Sequence, residues 1–233
     1  MKLSILIPAY NEEPYIQKVL SGIKSTDLSF SGIKEIEIIL IDDGSTDRTV
    51  EKAMEAASGI KLVRHAKNKG KGAAIISAIP HITGDIMLIQ DADLEYSPSL
   101  YPGLLKPIID GYADIVYGSR FLHKGHPENM KMPYFLANLF GTVLINLLNG
   151  VHLTDPMTCF KIFKKDVIKG IEFTSKGFGI DAELTSKTAR RGFKIKEVAI
   201  PYKARTFKEG KKFQPVYSLN VLWAIIKYSI FVK

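Results

Sequence analysis

Asp91-Ala92-Asp93 follows the apolar run IMLIQ and sets two carboxylates two residues apart. In an extended chain, residues i and i+2 point to the same side, so both acids could address one cation. Glu95 continues the alternation. Mg²⁺ and Mn²⁺ are hard cations that take one or two protein carboxylates and complete their shells with phosphate and water. A nucleoside diphosphate could supply that phosphate. An isolated pair of this kind also occurs as a solvated acidic turn or a helix cap, so the position after a strand carries the functional reading.

Asp42-Asp43-Gly44-Ser45 closes another apolar run. Its acids are adjacent, so their side chains diverge; Asp42 or Asp43 could address a base or ribose while Ser45 caps the next helix. In IPAYNEE, Tyr10 could pack on a base and Glu12 accept hydrogen bonds, although Pro14 equally fits a plain helix start.

These segments need a scaffold that brings them together. Short apolar runs at 3–8, 36–41, 60–64, 86–90 and 113–118 read as strands, and 14–23, 45–57, 72–79 and 98–110 carry helical periodicity. The alternation predicts an α/β fold, a mainly parallel central sheet flanked by helices. Ligands of such sheets bind beyond the carboxyl ends of the strands. AYNEE, DDGSTD, HAKNKGKG and DADLE all fall there and should share one rim. GxGxxG after the first strand and GxxxxGK[ST] anywhere are missing, so the dinucleotide and P-loop readings lose their main support.

At 233 residues we expect one domain, residues 1–120 forming the nucleotide and metal half and 121–233 the acceptor and membrane-facing half. The net charge of +8 favours anionic partners, among nucleotides, phospholipid surfaces and nucleic acid. A single cysteine, Cys159, allows no intrachain disulfide and fits the cytoplasm. LSILIP opens the chain without a signal-peptide pattern, and no uninterrupted apolar run reaches the roughly 18–20 residues of a spanning helix. The apolar stretches 134–149 and 219–232 instead suit peripheral amphipathic helices at an anionic membrane surface, with ordinary core packing as the alternative.

IPAYNEE, IDDGSTDRT, NKGKGAA, DADLEYSP, YGSRF and TDPMTCFK occur in that order across most of the chain. Together they resemble the family 2 glycosyltransferases, particularly the branch of dolichyl-phosphate mannose synthases and polyprenyl-phosphate glucosyltransferases. The resemblance implies a GT-A fold, Mg²⁺ or Mn²⁺, and inverting transfer of a hexosyl group from a nucleoside-diphosphate sugar to a polyprenyl phosphate. It implies Pro8, Tyr10, Glu12 and Asp42 in the nucleotide pocket and Asp91, Asp93 and Glu95 at the metal. Arg120 in GSRF matches a phosphate-contacting arginine and joins Asp91 and Asp93 as the catalytic set. Arg205 and Lys212 match a basic donor-covering loop, and Lys131 matches approximately; all four cations are candidates for binding the acceptor or the diphosphate. Mannose synthases commonly carry Gln where Glu95 stands, which tilts the donor from a GDP-linked sugar toward UDP-glucose or a related UDP-sugar.

A lipid phosphate is anionic near neutral pH, so it needs orientation more than a base. The rival enzymatic reading is transfer to a hydroxyl of a saccharide, lipid or protein, with an acid of the second half as base. Asp181 and Glu183 resemble the acidic helix end near the acceptor site, but capping or a structural ion pair fits them equally. A non-enzymatic nucleotide- or membrane-binding module explains the charge but leaves the ordered acidic motifs idle. Nucleic acid is not an expected partner. A membrane protein could supply further anchorage.

Overall fold

The computed structural model describes residues 1–122, 126–206, 209–214 and 216–231. Its strands are β1 (Lys2–Ala9), β2 (Glu35–Asp42), β3 (Lys61–Arg64), β4 (Ile86–Ile89), β5 (Ile115–Ser119), β6 (Lys161–Lys164) and β7 (Ile195–Ala199). They form one seven-stranded sheet in the order β3-β2-β1-β4-β6-β5-β7. β1 runs parallel to β2 and β4, and β7 parallel to β5; only β6 runs antiparallel, between β4 and β5. The sheet is therefore mainly parallel, as expected. β6 was not anticipated: it is four residues long and carries the fully buried Lys161, so it lacks an apolar run to announce it.

Side-chain parity assigns each face its helices. Leu3, Ile5 and Ile7 face α1 (Ile16–Ser25), α2 (Thr49–Ala56) and α4 (Tyr101–Ile109) in one core. Leu6, Ile39, Ile41, Met87 and Ile89 face α3 (Lys71–Ala78), the short α6 (Lys165–Ile168) and α7 (Ile180–Arg190) in the other. Each such side chain taken out of water contributes about 1.5–3 kcal/mol. Because both faces are covered, β1, β2 and β4 read as continuous apolar runs. Ser45 does not cap α2, which starts only at Thr49; its N–H donates to Asp42 (2.8 Å) and its hydroxyl accepts from Asn11 N (3.0 Å).

The remaining helices are α5 (Met132–Asn149) and α8 (Tyr217–Ile226), the latter continued by a π-helical turn, Lys227–Phe231. The expected apolar stretch 219–232 thus begins inside α8, and residue 232 lies outside the described residues. Pro133 stands in the first turn of α5, where a missing N–H costs nothing, and Gly150 ends the helix with φ 64°. A third cluster, Ile145, Ala182, Ala224, Ile225 and Tyr228, binds α5, α7 and α8 together. One expectation is corrected here: α5, at 18 residues, is long and apolar enough to cross a membrane by length and composition, and only 17% of it is buried. Its polar Asn, Gly and Thr residues hid that length in the sequence.

Candidate active site

The same parity that builds the cores aims the polar residues at the strand ends. Continuing β1, β2 and β4 past their apolar residues turns Pro8, Asp43 and Asp91 toward the α3 face. There a cavity of about 810 Å³ lies across the carboxyl ends of the strands, a volume in the usual range for small-molecule sites. Pro8, Tyr10, Glu12, Asp91, Asp93 and Glu95 line it. Arg120, Arg205 and Lys212 line it as well, so the structure brings together nine of the eleven residues singled out above. Asp42 and Lys131 are not among the lining residues.

At its acidic end, Asp91, Asp93 and Glu12 each meet a cation. Lys71 donates to Asp91. Arg205 Nη2 donates to Asp93 Oδ2 at 2.5 Å and Nη1 to Glu12 Oε2 at 3.2 Å; Lys212 Nζ donates to Glu12 Oε1 at 2.5 Å and to the Tyr10 carbonyl. Burial pushes the Asp91 carboxyl up, but the Lys71 ammonium more than offsets this and holds it below its ordinary value. Burial, with Asp91 and Glu95 nearby, pushes Asp93 up to about 7 in spite of Arg205. This end therefore holds more negative charge than its protein cations neutralise.

That excess suits a hard divalent cation carried in with phosphate, and Asp91 and Asp93 are the residues that would hold it. Glu95 is a correction. Its two oxygens accept from Tyr202 (2.9 Å) and from Arg205 N (2.6 Å), and among the described residues no group of three acids, His or Cys converges as a metal ligand set. Glu95 thus ties the segment after β4 to Tyr202 and Arg205.

Asp42 is the second correction. It is fully buried, accepting from Ser45 N and paired with Arg64 at 3.0 Å, on the face of β2 turned from the cavity. Its neighbour Asp43 lines the cavity. It accepts from His65 Nδ1 (2.7 Å), Lys69 N (2.9 Å) and Gly70 N (2.8 Å). The loop that carries those amides is seated on the second half of the chain: Ala73 N donates to Lys176 O at 2.9 Å. A Cβ on Gly70 would stand 2.5 Å from Lys176 O, and one on Gly72 2.0 Å from Ser175 O, so only glycine fits at either position.

Farther along the cavity the lining is cationic and aromatic. Arg120 grips the buried Asp155 with two bonds, Nε to Oδ2 and Nη2 to Oδ1, both 2.7 Å. Tyr202 stacks on the guanidinium at 5.2 Å. Lys131, the third correction, is exposed at the N-cap of α5. Lys211 lines the wall instead, 5.1 Å over the Tyr134 ring. Burial lowers the Lys211 ammonium below its ordinary value; Glu95 opposes this, and Arg120 and Arg205 reinforce it. An arriving anion relieves that crowding of positive charge.

Beyond Tyr134, Phe178, Phe213 and Tyr217 the cavity passes between α5 and α8, where Phe140, Leu219 and Ile225 line it. Phe140 and Leu219 are also 59% and 69% exposed, and they join an apolar surface that includes Leu147 and Trp223. Asp181 reaches the cavity floor, paired with the buried Lys161 at 2.5 Å, whereas Glu183 caps Thr174 and Ser175 and pairs with Lys187 at 2.7 Å. Lys71, Lys211, His65 and Asp155 were not singled out from the sequence. Strand parity alone could have selected Asp43 over Asp42, but the lysines sit in basic loops where only packing distinguishes one from the next.

The pattern described as Glycosyl transferase family 2 matches residues 4–171. A dolichol-phosphate mannosyltransferase of Pyrococcus furiosus is 33% identical over 219 residues, 91% of this chain and 59% of that protein. An undecaprenyl-phosphate mannosyltransferase of Micrococcus luteus is 26% identical over 220 residues, 91% of this chain and 87% of its own length. Among solved structures, glucosyl-3-phosphoglycerate synthase from Mycobacterium tuberculosis, crystallised with Mn²⁺, UDP and phosphoglyceric acid, superposes with a TM-score of 0.75 at 21% identity. That alignment covers 98% of this chain and 78% of the synthase. The shared fold is GT-A.

Proposed function

Because this chain belongs to glycosyl transferase family 2, we propose that it moves a hexosyl group from a nucleoside-diphosphate sugar to a polyprenyl phosphate at a membrane surface. One observation carries the reading: a single cavity joins an acidic, cation-laced end to an apolar outlet between α5 and α8. A soluble saccharide acceptor has no use for that outlet, whereas a lipid phosphate needs both ends at once. The Pyrococcus and Micrococcus relatives, a dolichol-phosphate and an undecaprenyl-phosphate mannosyltransferase, support the same acceptor class.

In this reading Asp43 receives the base, Tyr10 and Pro8 flank it, and Arg205 and Lys212 move from Glu12 and Asp93 onto the diphosphate. Mg²⁺ or Mn²⁺, held by Asp91 and Asp93, would supply charge stabilisation for the departing nucleoside diphosphate. Arg120 and Lys211 present positive charge to the lipid phosphate, whose oxygen attacks the anomeric carbon in line. No base is required, because the nucleophile is already anionic; Asp181, tied to Lys161, need not take a proton. The exposed faces of α5 and α8 rest in the membrane interface, giving peripheral association.

The test is incubation with UDP- and GDP-sugars, Mn²⁺ and polyprenyl phosphate in vesicles, with mass analysis of the lipid. A glycosyl phosphoryl lipid supports the reading. Transfer to an added saccharide or lipid hydroxyl, with none to the phosphate, replaces it by the hydroxyl-acceptor alternative.

A further inference from the structure

We propose that His65 is the positioning residue for nucleotide recognition, acting through Asp43; the inference rests on the nucleotide-sugar reading above. An ionised carboxylate offers about four acceptor positions. Three at Asp43 are taken from the protein side, by His65 Nδ1, Lys69 N and Gly70 N, and the residue still lines the cavity. What remains is one acceptor edge turned toward the ligand, suited to an N–H of a nucleobase.

Of the three donors, two are backbone amides fixed by the loop, so His65 is the side chain that sets the rotation of the carboxylate. His65 is 6% exposed and is not among the residues lining the cavity. It is itself held at both ends: its backbone N–H donates to Asp42 O at 2.9 Å, and its Nε2 lies 2.9 Å from Ser77 Oγ on α3. Because Asp43 accepts from every neighbour, Nδ1 carries a proton, and Nε2 is held by the Ser77 hydroxyl. The ring is thus a rigid strut between a helix and the carboxylate. Any buried histidine needs partners for its ring nitrogens; what sets this one apart is that one partner is the carboxylate on the cavity wall.

The experiment measures UDP and GDP affinity with Mn²⁺ by calorimetry, and donor KM and kcat, for wild type, His65→Leu, His65→Asn and Ser77→Ala. His65→Leu should weaken nucleotide binding about tenfold, equivalent to about 1.4 kcal/mol, with kcat at saturating donor nearly unchanged. His65→Asn, which keeps an N–H near Nδ1, should recover most of the loss, and Ser77→Ala should show a smaller loss of the same sign. In an Asp43→Asn background His65→Leu should add nothing further. Wild-type affinity in folded His65→Leu, or a fall in kcat with KM intact, overturns the inference. If His65→Leu does not fold, Ser77→Ala decides, and an unchanged affinity there overturns it. Failure of wild type to bind either nucleotide sinks the underlying reading and this inference with it, a result separate from binding that ignores His65.

Discussion

Arg205 holds Asp93 at 2.5 Å with the same guanidinium that reaches Glu12, so one side chain from beyond β7 bridges the first-strand and fourth-strand segments of the site. Arg205→Ala should act in opposite directions on two ligands. Without its cation, the acidic end should bind Mn²⁺ alone about tenfold more tightly, while Mn²⁺-dependent binding of UDP or GDP should weaken by about tenfold as the diphosphate loses its fork. Calorimetry with metal alone and with metal plus nucleotide separates the two. Changes of the same sign would refute the charge-exchange role.

Asp91 and Asp93 should part company in stability while agreeing in activity. Each Asn variant should lower turnover about 100- to 1,000-fold through lost charge stabilisation. Asp91→Asn also strands the buried Lys71 and should cost about 3 kcal/mol. Asp93, already pushed up to about 7, is disfavoured as an anion, so Asp93→Asn should leave the melting temperature unchanged or raise it. Thermal melts at pH 8 beside turnover assays check the contrast.

Glu37 makes a pH-dependent contribution at the opposite end of the sheet. Burial pushes its carboxyl up, but bonds from Ser4, Thr83 and Gly84 prevail and hold it at about 2, below the ordinary 4.5. The unfolded chain then binds more protons than the fold between these values, so stability rises with pH there. The contribution should be fully present above about pH 4.5 and lost as pH falls through about 2. With solvent screening, Glu37→Gln should cost about 1–2 kcal/mol at pH 7, and its deficit should shrink on acidification. Urea titrations of both proteins from pH 7 downward measure this; a deficit independent of pH would point to packing alone.

Membrane contact is better tested by surface substitution than by truncation. Removing 219–233 also removes Ala224, Ile225 and Tyr228 from the third core cluster and should unfold that part of the chain. Leu147→Ser with Trp223→Ser touches only exposed side chains, 77% and 59% accessible. The double variant should lose about tenfold or more in anionic-vesicle binding with an unchanged melting temperature. Normal vesicle sedimentation would assign that surface elsewhere.

The sheet and the rim of acidic loops were legible because β1, β2 and β4 are buried on both faces and end abruptly in polar segments. β6 was not, since Lys161 interrupts its apolar pattern and is satisfied by the Thr158 carbonyl and by Asp181, twenty positions away. Asp91 and Asp93 could be read from spacing; Glu95 could not, because Tyr202 and Arg205 arrive from the far end of the chain. Lys131 and Lys211 show the same limit. Both are lysines beside aromatic residues, and only the packing of Tyr134 on α5 against Lys211 and Phe213 decides which one faces the cavity.

Gly70 and Gly72 press backbone against backbone where the first half of the chain meets residues 175–177. Contact that close leaves no slack for a hinge, so the floor of the cavity behaves as an anvil. Under the proposed function, any yielding that admits a donor then falls to the segment carrying Arg205, Gly210 and Lys211 and to the gap between α5 and α8. Turnover should accordingly respond to substitution of Gly210, at φ 85°, more than to any change beneath the nucleotide.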